Sequence, residues 1–372
     1  MVNVSGEPVA CSSCLCPSQT TRLFLPTLYS LMFLIGLLGN SLSLWVFVKK
    51  IPNKTSTHVY LINLGVSNLM LCATMPILAA YFAVGHTWGS HQLACRVAVG
   101  GVTPVLHVNI YVGVFILTWI ALSRLAVLVQ HSHSGRASTC TRILPSAFFR
   151  KLREVHFARA MCLAIWTIVL AGIIPVVVLY SVAEAGEAGG AENAGDQACY
   201  SVGVEVGGDG SQLSHVAAIV LFFICFLLVL ASYVSVTRHI CRSQRNTAIT
   251  DRHRVYRRVF RNIVVIQLVL AVCLLPHHIF KSAFIGMIRH EAAPQPSAGW
   301  CQQLSQLVEV KNILLCLAAF RSVLDPIMYF LLDKTFHRHV ADLLKISSRK
   351  QNSQSSGSNL DAEATSSKAT KL

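Results

Sequence analysis

Charged side chains are scarce in this sequence. Asp, Glu, Lys and Arg make up 13% of its 372 residues, against about 25% in ordinary soluble domains. With 53% hydrophobic residues and a mean hydropathy of +0.56, that shortage argues against a soluble fold and a soluble enzyme. Internal repeats with matching broken helices are missing too, and with them the mark of a secondary transporter. No lysine stands midway along the last apolar run, since Lys311 lies near one end of it; a retinal-type proton pump is therefore set aside. The start, MVNVSGEPVACSSCLC, has neither a basic segment nor an apolar one. No cleavable signal is expected, and the first apolar run should serve as the anchor. The formal net charge is +15, but the basic residues sit in short loops between apolar runs. Nucleic acid is not expected as a partner, because its binders show a basic face on a soluble fold.

What the chain has instead is long apolar runs. A helix needs about 20 apolar residues to cross the hydrocarbon core. Such runs lie at about residues 23–48, 58–81, 97–122, 160–180, 213–236 and 262–280. A seventh, 303–332, is interrupted by Glu309, Lys311, Arg321 and Asp325 but keeps the apolar stretches NILLCLAAF and IMYFLL. The expectation is an all-α membrane protein, a seven-transmembrane helix bundle in the plasma membrane. An N-terminal tail over 1–22 precedes it. A membrane-surface helix over 333–346 and a disordered tail over 347–372 follow.

Lys and Arg mark the cytosolic side of a membrane protein. The loops after runs one, three and five carry them: Lys49, Lys50 and Lys54, then Arg136 to Arg159, then eight arginines from Arg238 to Arg261. The loop after run four, 181–212, has none and carries Glu184, Glu187, Glu192, Asp196, Glu205 and Asp209. The N-terminus is therefore expected outside and the C-terminus inside. Asn3, in an Asn-Val-Ser sequon, becomes a glycosylation candidate, whereas Asn53 should stay bare. Six cysteines then face an oxidising exterior: Cys11, Cys14, Cys16, Cys95, Cys199 and Cys301. Spacing alone leaves their connectivity open. The favoured bridge is Cys95–Cys199, with free thiols or a second bridge from Cys301 to Cys11, Cys14 or Cys16 as alternatives for the rest.

Polar and proline-containing marks arrive one per run. They are Gly39-Asn40, Asn63-Leu64 with Asn68, Ser123-Arg124-Leu125, Trp166 with Pro175, Tyr233, Cys273-Leu274-Leu275-Pro276, and Asp325-Pro326-Ile327-Met328-Tyr329; Trp88 and Cys95 fall between runs two and three. Over residues 25–340 this order resembles the rhodopsin-like (class A) G-protein-coupled receptors. His278 and Lys281 after Pro276, with Asp325 before Pro326, resemble the purinergic-type branch. The resemblance implies a receptor, not an enzyme, with no cofactor or metal, an extracellular ligand and a heterotrimeric G protein as partner. It also implies coupling and activation roles for Ser123, Arg124, Tyr233, Asp325, Pro326 and Tyr329. Relatives in the branch use cations where Lys281 and Lys311 stand, so these, with His278, are the candidates for binding an anionic ligand (nucleotide, acid metabolite or lipid). For both lysines the competing reading is interfacial snorkelling.

Departures from the family pattern are informative. Ser123 stands where most members carry an acid beside the arginine, so raised basal signalling is expected. Cys225 replaces a proline and Leu274 an aromatic; these losses keep a receptor-like scaffold without G-protein activation as the alternative function. Cys95 and Arg124 are 29 steps apart (124 − 95), about one helical turn more than the family norm, and Pro104 is the candidate cause of a bulge. Asn68 replaces an acid that in most relatives helps hold a sodium ion. Arg321, four residues before Asp325 and so on the same helix face, is expected to replace that ion as the countercharge, with Asn40 and Asn68 alongside. The tail from Ser347 has ten Ser or Thr, which suits phosphorylation and arrestin docking. No cysteine follows Cys316, so no palmitoyl anchor is expected there.

Overall fold

Hydrocarbon offers no water to backbone N–H and C=O groups, so each apolar run satisfies them internally by coiling into a helix. The computed structural model describes residues 15, 18–84, 101–132, 146–173, 205, 212–244, 250–290 and 298–343. The expectations for Asn3, Cys11, Cys14, Cys16, Trp88, Cys95, Pro175, Cys199 and the tail beyond 346 lie outside these residues. The helices are α1 (Leu25–Trp45), α2 (Ser56–Val84), α3 (Thr103–Ser132), α4 (Val155–Ile168), α5 (Gln212–Gln244), α6 and α7 (Ala298–Leu332). Helix α6 runs over Thr250–Val269, through a π turn at Leu270–Leu274, into Leu275–His290. Six of the seven are long and apolar enough to cross a membrane; the fourth is a shorter apolar helix, Val155–Ala171.

The bundle closes in chain order, with α1 against α2 and α7, α2 also against α4, and α5 against α6. Helix α3 is the central one and meets α2, α4, α5, α6 and α7. Burial agrees: 72% of the most apolar window of α3 is buried, against 28% for α5, which turns most of its surface outward. Leu23, Leu38 and Leu163 are among the large apolar side chains left exposed. In water that would be costly; in a bilayer it is the lipid-facing surface.

Prolines shape the helices locally. Pro276 has no N–H and crowds the carbonyl four residues back. The π turn at Leu270–Leu274 lies directly before it and absorbs the misfit. With Cys225 in place of proline, α5 runs unbroken. Pro104 stands in the first turn of α3, where its missing donor costs nothing, and α3 is continuous from there. A π-helical stretch at residues 101–102 lies just before it, as the π turn does before Pro276.

At the Arg124 end, Asp333 closes α7 onto α2. Its Oδ1 accepts from the backbone N–H groups of Thr335 and Phe336, both at 2.9 Å, and so caps the helical residues 334–343. Its Oδ2 meets His58 Nε2 at 2.8 Å. The N–H of Thr55 donates to His58 Nδ1, which leaves the proton on Nε2 to donate to Asp333. Burial raises the Asp333 carboxyl, but the bonds from His58 and Phe336, with the charge of Arg124 last, bring it below its ordinary 3.8. Replacing Asp333 by Ala should cost about 1–2 kcal/mol, the typical loss of a helix cap, read as a lower melting temperature of the purified protein. Because the folded value is depressed, this contribution is full above pH 3.8 and fades only as pH falls through the folded value.

Candidate functional site

Two polar sites are built inside the apolar bundle. The deeper one centres on Arg321 and Asp325 of α7, both fully buried. Arg321 Nη1 donates to Asp325 Oδ2 at 2.7 Å. Nη2 donates to Asn109 Oδ1 at 2.8 Å and to the Asn109 carbonyl at 3.2 Å, which reaches α3. Asn68 on α2 donates to Asp325 Oδ2 at 2.8 Å and to Asn40 Oδ1 at 3.0 Å, and accepts from Asn109 at 3.1 Å. Asn40 on α1 donates to the carbonyls of Gly36 and Ser322, both at 2.9 Å. One network therefore joins α1, α2, α3 and α7. Arg321 Nε and Asp325 Oδ1 have no partner among the described residues, so the pair is well but not fully satisfied.

Room for the guanidinium comes from a missing side chain. A Cβ on Gly113 of α3 would lie 2.6 Å from Arg321 Cζ, far inside van der Waals contact. The residues here do not fit a sodium ion: Arg321 already places a fixed cation against Asp325 and Asn68, and a second cation would meet it at short range. Sequence reasoning pointed to Arg321, Asp325, Asn40 and Asn68. It missed Asn109 and Gly113, although an amide and a glycine inside the apolar run 97–122 were visible signals.

The second site lies at the opposite end. Lys311 of α7 pairs with Glu205 Oε2 at 2.6 Å and donates to the Glu205 carbonyl at 2.5 Å. Tyr81 OH of α2 donates to Glu205 Oε1 at 2.6 Å, and Asn312 Nδ2 to Oε2 at 3.2 Å. Burial raises the Glu205 carboxyl, but Lys311 and the donated hydrogen bonds outweigh it and leave the group below 4.5. Glu205 is ionised and held. Its place was not legible, because six acids share that loop and none is marked out.

The remaining candidates have mixed settings. His278 Nδ1 bonds its own helix at Leu274 O at 2.9 Å rather than a neighbouring one. Its ring stacks on Phe222 of α5 with centroids 3.8 Å apart, and its Nε2 is buried without a partner among the described residues. Lys281 is half-buried and has no carboxylate partner among those residues. At the other end, Ser123 Oγ donates to the Leu152 carbonyl at 3.3 Å, so its hydroxyl holds the segment after the short helix Ser146–Lys151. Tyr233 packs on Phe260, tying α5 to α6. Tyr329 is buried behind Phe47 and Phe336. Pro326 lies 3.0 Å from where a Gly39 side chain would begin, so α1 and α7 touch backbone to ring. Trp166 Nε1 donates to Asn63 Oδ1 at 3.1 Å and fixes α4 to α2. Cys301 is in a disulfide whose partner lies outside the described residues.

Comparison with known proteins decides what this bundle is. Residues 39–329 match the model of the 7 transmembrane receptor (rhodopsin family). The chain belongs to the rhodopsin family of seven-transmembrane receptors. The receptor is 41% identical over 334 residues to the "Probable G-protein coupled receptor 82" of Mus musculus, covering 90% of this chain and 98% of that one. With the Homo sapiens protein of the same name it shares 39% over 333 residues, covering 89% and 95%. The Mus musculus "Probable G-protein coupled receptor 34" is 24% identical over 342 residues, covering 92% and 82%. This places the receptor on the purinergic-like branch, as a multi-pass protein of the plasma membrane.

The buried pair should behave as one unit. Arg321→Met or Asp325→Leu alone strands a buried charge and should cost about 3–5 kcal/mol, whereas the double replacement should cost less than either. Gly113→Ala should destabilise in the same direction as Arg321→Met, by crowding the guanidinium off Asp325. Thermal unfolding of the detergent-solubilised receptor over this set checks both.

Proposed function

We propose that the receptor sits with its N-terminus outside and its C-terminus in the cytosol, binds an anionic extracellular ligand and signals through a heterotrimeric G protein. The orientation rests on the Lys and Arg of the loops after runs one, three and five, and on their absence from 181–212. Ligand enters at the Glu205 end, between α6 and α7.

The observation that carries this reading is Lys281, a half-buried cation without a countercharge among the described residues, while Lys311 at the same end already grips a carboxylate. A desolvated ammonium is costly until an anion answers it, and a carboxylate or phosphate does so as a point-charge partner. His278 Nε2 supplies a neutral polar atom beside it.

Arg124, with Tyr233, Pro326 and Tyr329, forms the coupling end. Ser123 cannot act as an acid and gives its hydroxyl to the Leu152 carbonyl; the residue beside Arg124 in the chain is not a carboxylate, which supports raised ligand-free signalling. Asp333 senses the charge of Arg124, but from the end of α7. Inside the bundle, Arg321 takes the part of sodium as the countercharge of Asp325. A Cys95–Cys199 bridge pins the acidic loop, and the Ser/Thr-rich tail offers phosphorylation sites to arrestin.

Nucleotide exchange on purified G proteins of each class, with the receptor in lipid vesicles and no ligand, tests the signalling. Wild type should exceed Ser123→Asp; equally low output from the two would reject raised basal activity. Exchange at background for every class, with anionic ligands present, would instead favour the receptor-like scaffold. The melting temperature should be the same in sodium and potassium salts, and a sodium-specific rise would remove Arg321 from its assigned role.

A further inference from the structure

Four donor contacts converge on Glu205, and their sources are unequal. The donors Tyr81, Lys311 and Asn312 stand on the long helices α2 and α7, whereas the acceptor comes from the connection between α4 and α5. Both carboxylate oxygens are satisfied, one by a phenol and one by an ammonium and an amide. The Glu205 side chain keeps only 6% of its surface exposed. A cation and two neutral donors, held on rigid elements and turned to one point, form a carboxylate site whether or not the carboxylate is tethered to the chain.

We infer that Tyr81, Lys311 and Asn312 are a binding site for the anionic group of an extracellular ligand, and that Glu205 is its resident competitor, displaced when ligand binds. The inference rests on the reading of this end as the entrance for an anionic ligand, and adds what already fills part of it. An intramolecular carboxylate competes at high effective concentration. A ligand with one weak anionic group therefore does not displace it. The ligand class that does carries a carboxylate or phosphate for Lys311 and a second feature that engages elsewhere, with Lys281 as the cation that has no carboxylate partner among the described residues. Displacement has a structural consequence, because Glu205 is the described link from its loop to α2 and α7. Exchange of one carboxylate for another frees Glu205 from α2 and α7 while leaving Lys311 neutralised.

Acetate serves as the probe, a bare carboxylate small enough for the space that Glu205→Ala opens. The full-length receptor is purified in detergent and melted in potassium acetate and in potassium chloride at equal ionic strength. Wild type should melt alike in both. Glu205→Ala should melt several degrees lower in chloride and recover saturably in acetate. Glu205→Ala with Lys311→Met should show no recovery. If the alanine variant does not reach the cell surface, Glu205→Ser, which also removes the carboxylate and opens the space that acetate needs, should recover in acetate in the same way. Indifference of the single variants to acetate would overturn the inference, as would an equal gain in wild type or recovery without Lys311. The readout needs neither ligand nor G protein. Failure of signalling therefore leaves this result standing, and failure here leaves signalling untouched.

Discussion

The interior depends on a buried ion pair that would be prohibitive on its own. Taking a guanidinium and a carboxylate out of water costs several kcal/mol per ion even after relaxation, on the order of what their attraction returns. The bundle keeps Arg321 and Asp325 because three amide side chains from three other helices close around them. Asn68 and Asn109 hold the two charges, and Asn40 ties Asn68 to α1 and to the Ser322 carbonyl. Hydrophobic packing does not drive helix association in lipid, since the tails are as apolar as leucine. Polar contacts of this kind, with close approach at Gly36, Gly39 and Gly113, therefore select one arrangement of helices.

Helix α7 shows the same logic along its whole length. Its four charges interrupt its apolar run, and each is answered within the described residues. Glu309 accepts from the Ser18 N–H at 2.8 Å, Lys311 from α7 reaches Glu205, and Arg321 pairs with Asp325. Just past its end, Asp333 takes His58. These contacts bind α7 in turn to the N-terminal segment, to the loop before α5, to α3 and to the start of α2. A helix that is a poor solute in hydrocarbon becomes the element that most of the polar structure converges on.

The functional reading follows from where charge is satisfied and where it is not. The deep cation has its anion built in. The cation Lys311 has one from the connection between α4 and α5, and Lys281 has none among the described residues. That gradient, from sealed to open along the bundle, is what the proposed uptake of an anion from one side rests on. At the other end, the serine beside Arg124 is engaged with the Leu152 carbonyl, so the residue next to the arginine in the chain is a hydroxyl and not an acid.

Sequence by itself determined the helical architecture, because backbone amides in hydrocarbon must pair within the segment and apolar runs of sufficient length have no other solution. It also determined that Arg321 and Asp325 share a face, since four residues are close to one helical turn. Tertiary structure alone decided who meets them. Periodicity fixes the face of a helix but not the register or rotation of its neighbours, so the approach of Asn109 and Gly113 could not be computed from α7. Nor could Glu205 be picked from the six acids between runs four and five, where the sequence has no period to read. Glu205 acquires its role only from the convergence of Tyr81, Lys311 and Asn312 across two helices far apart in sequence.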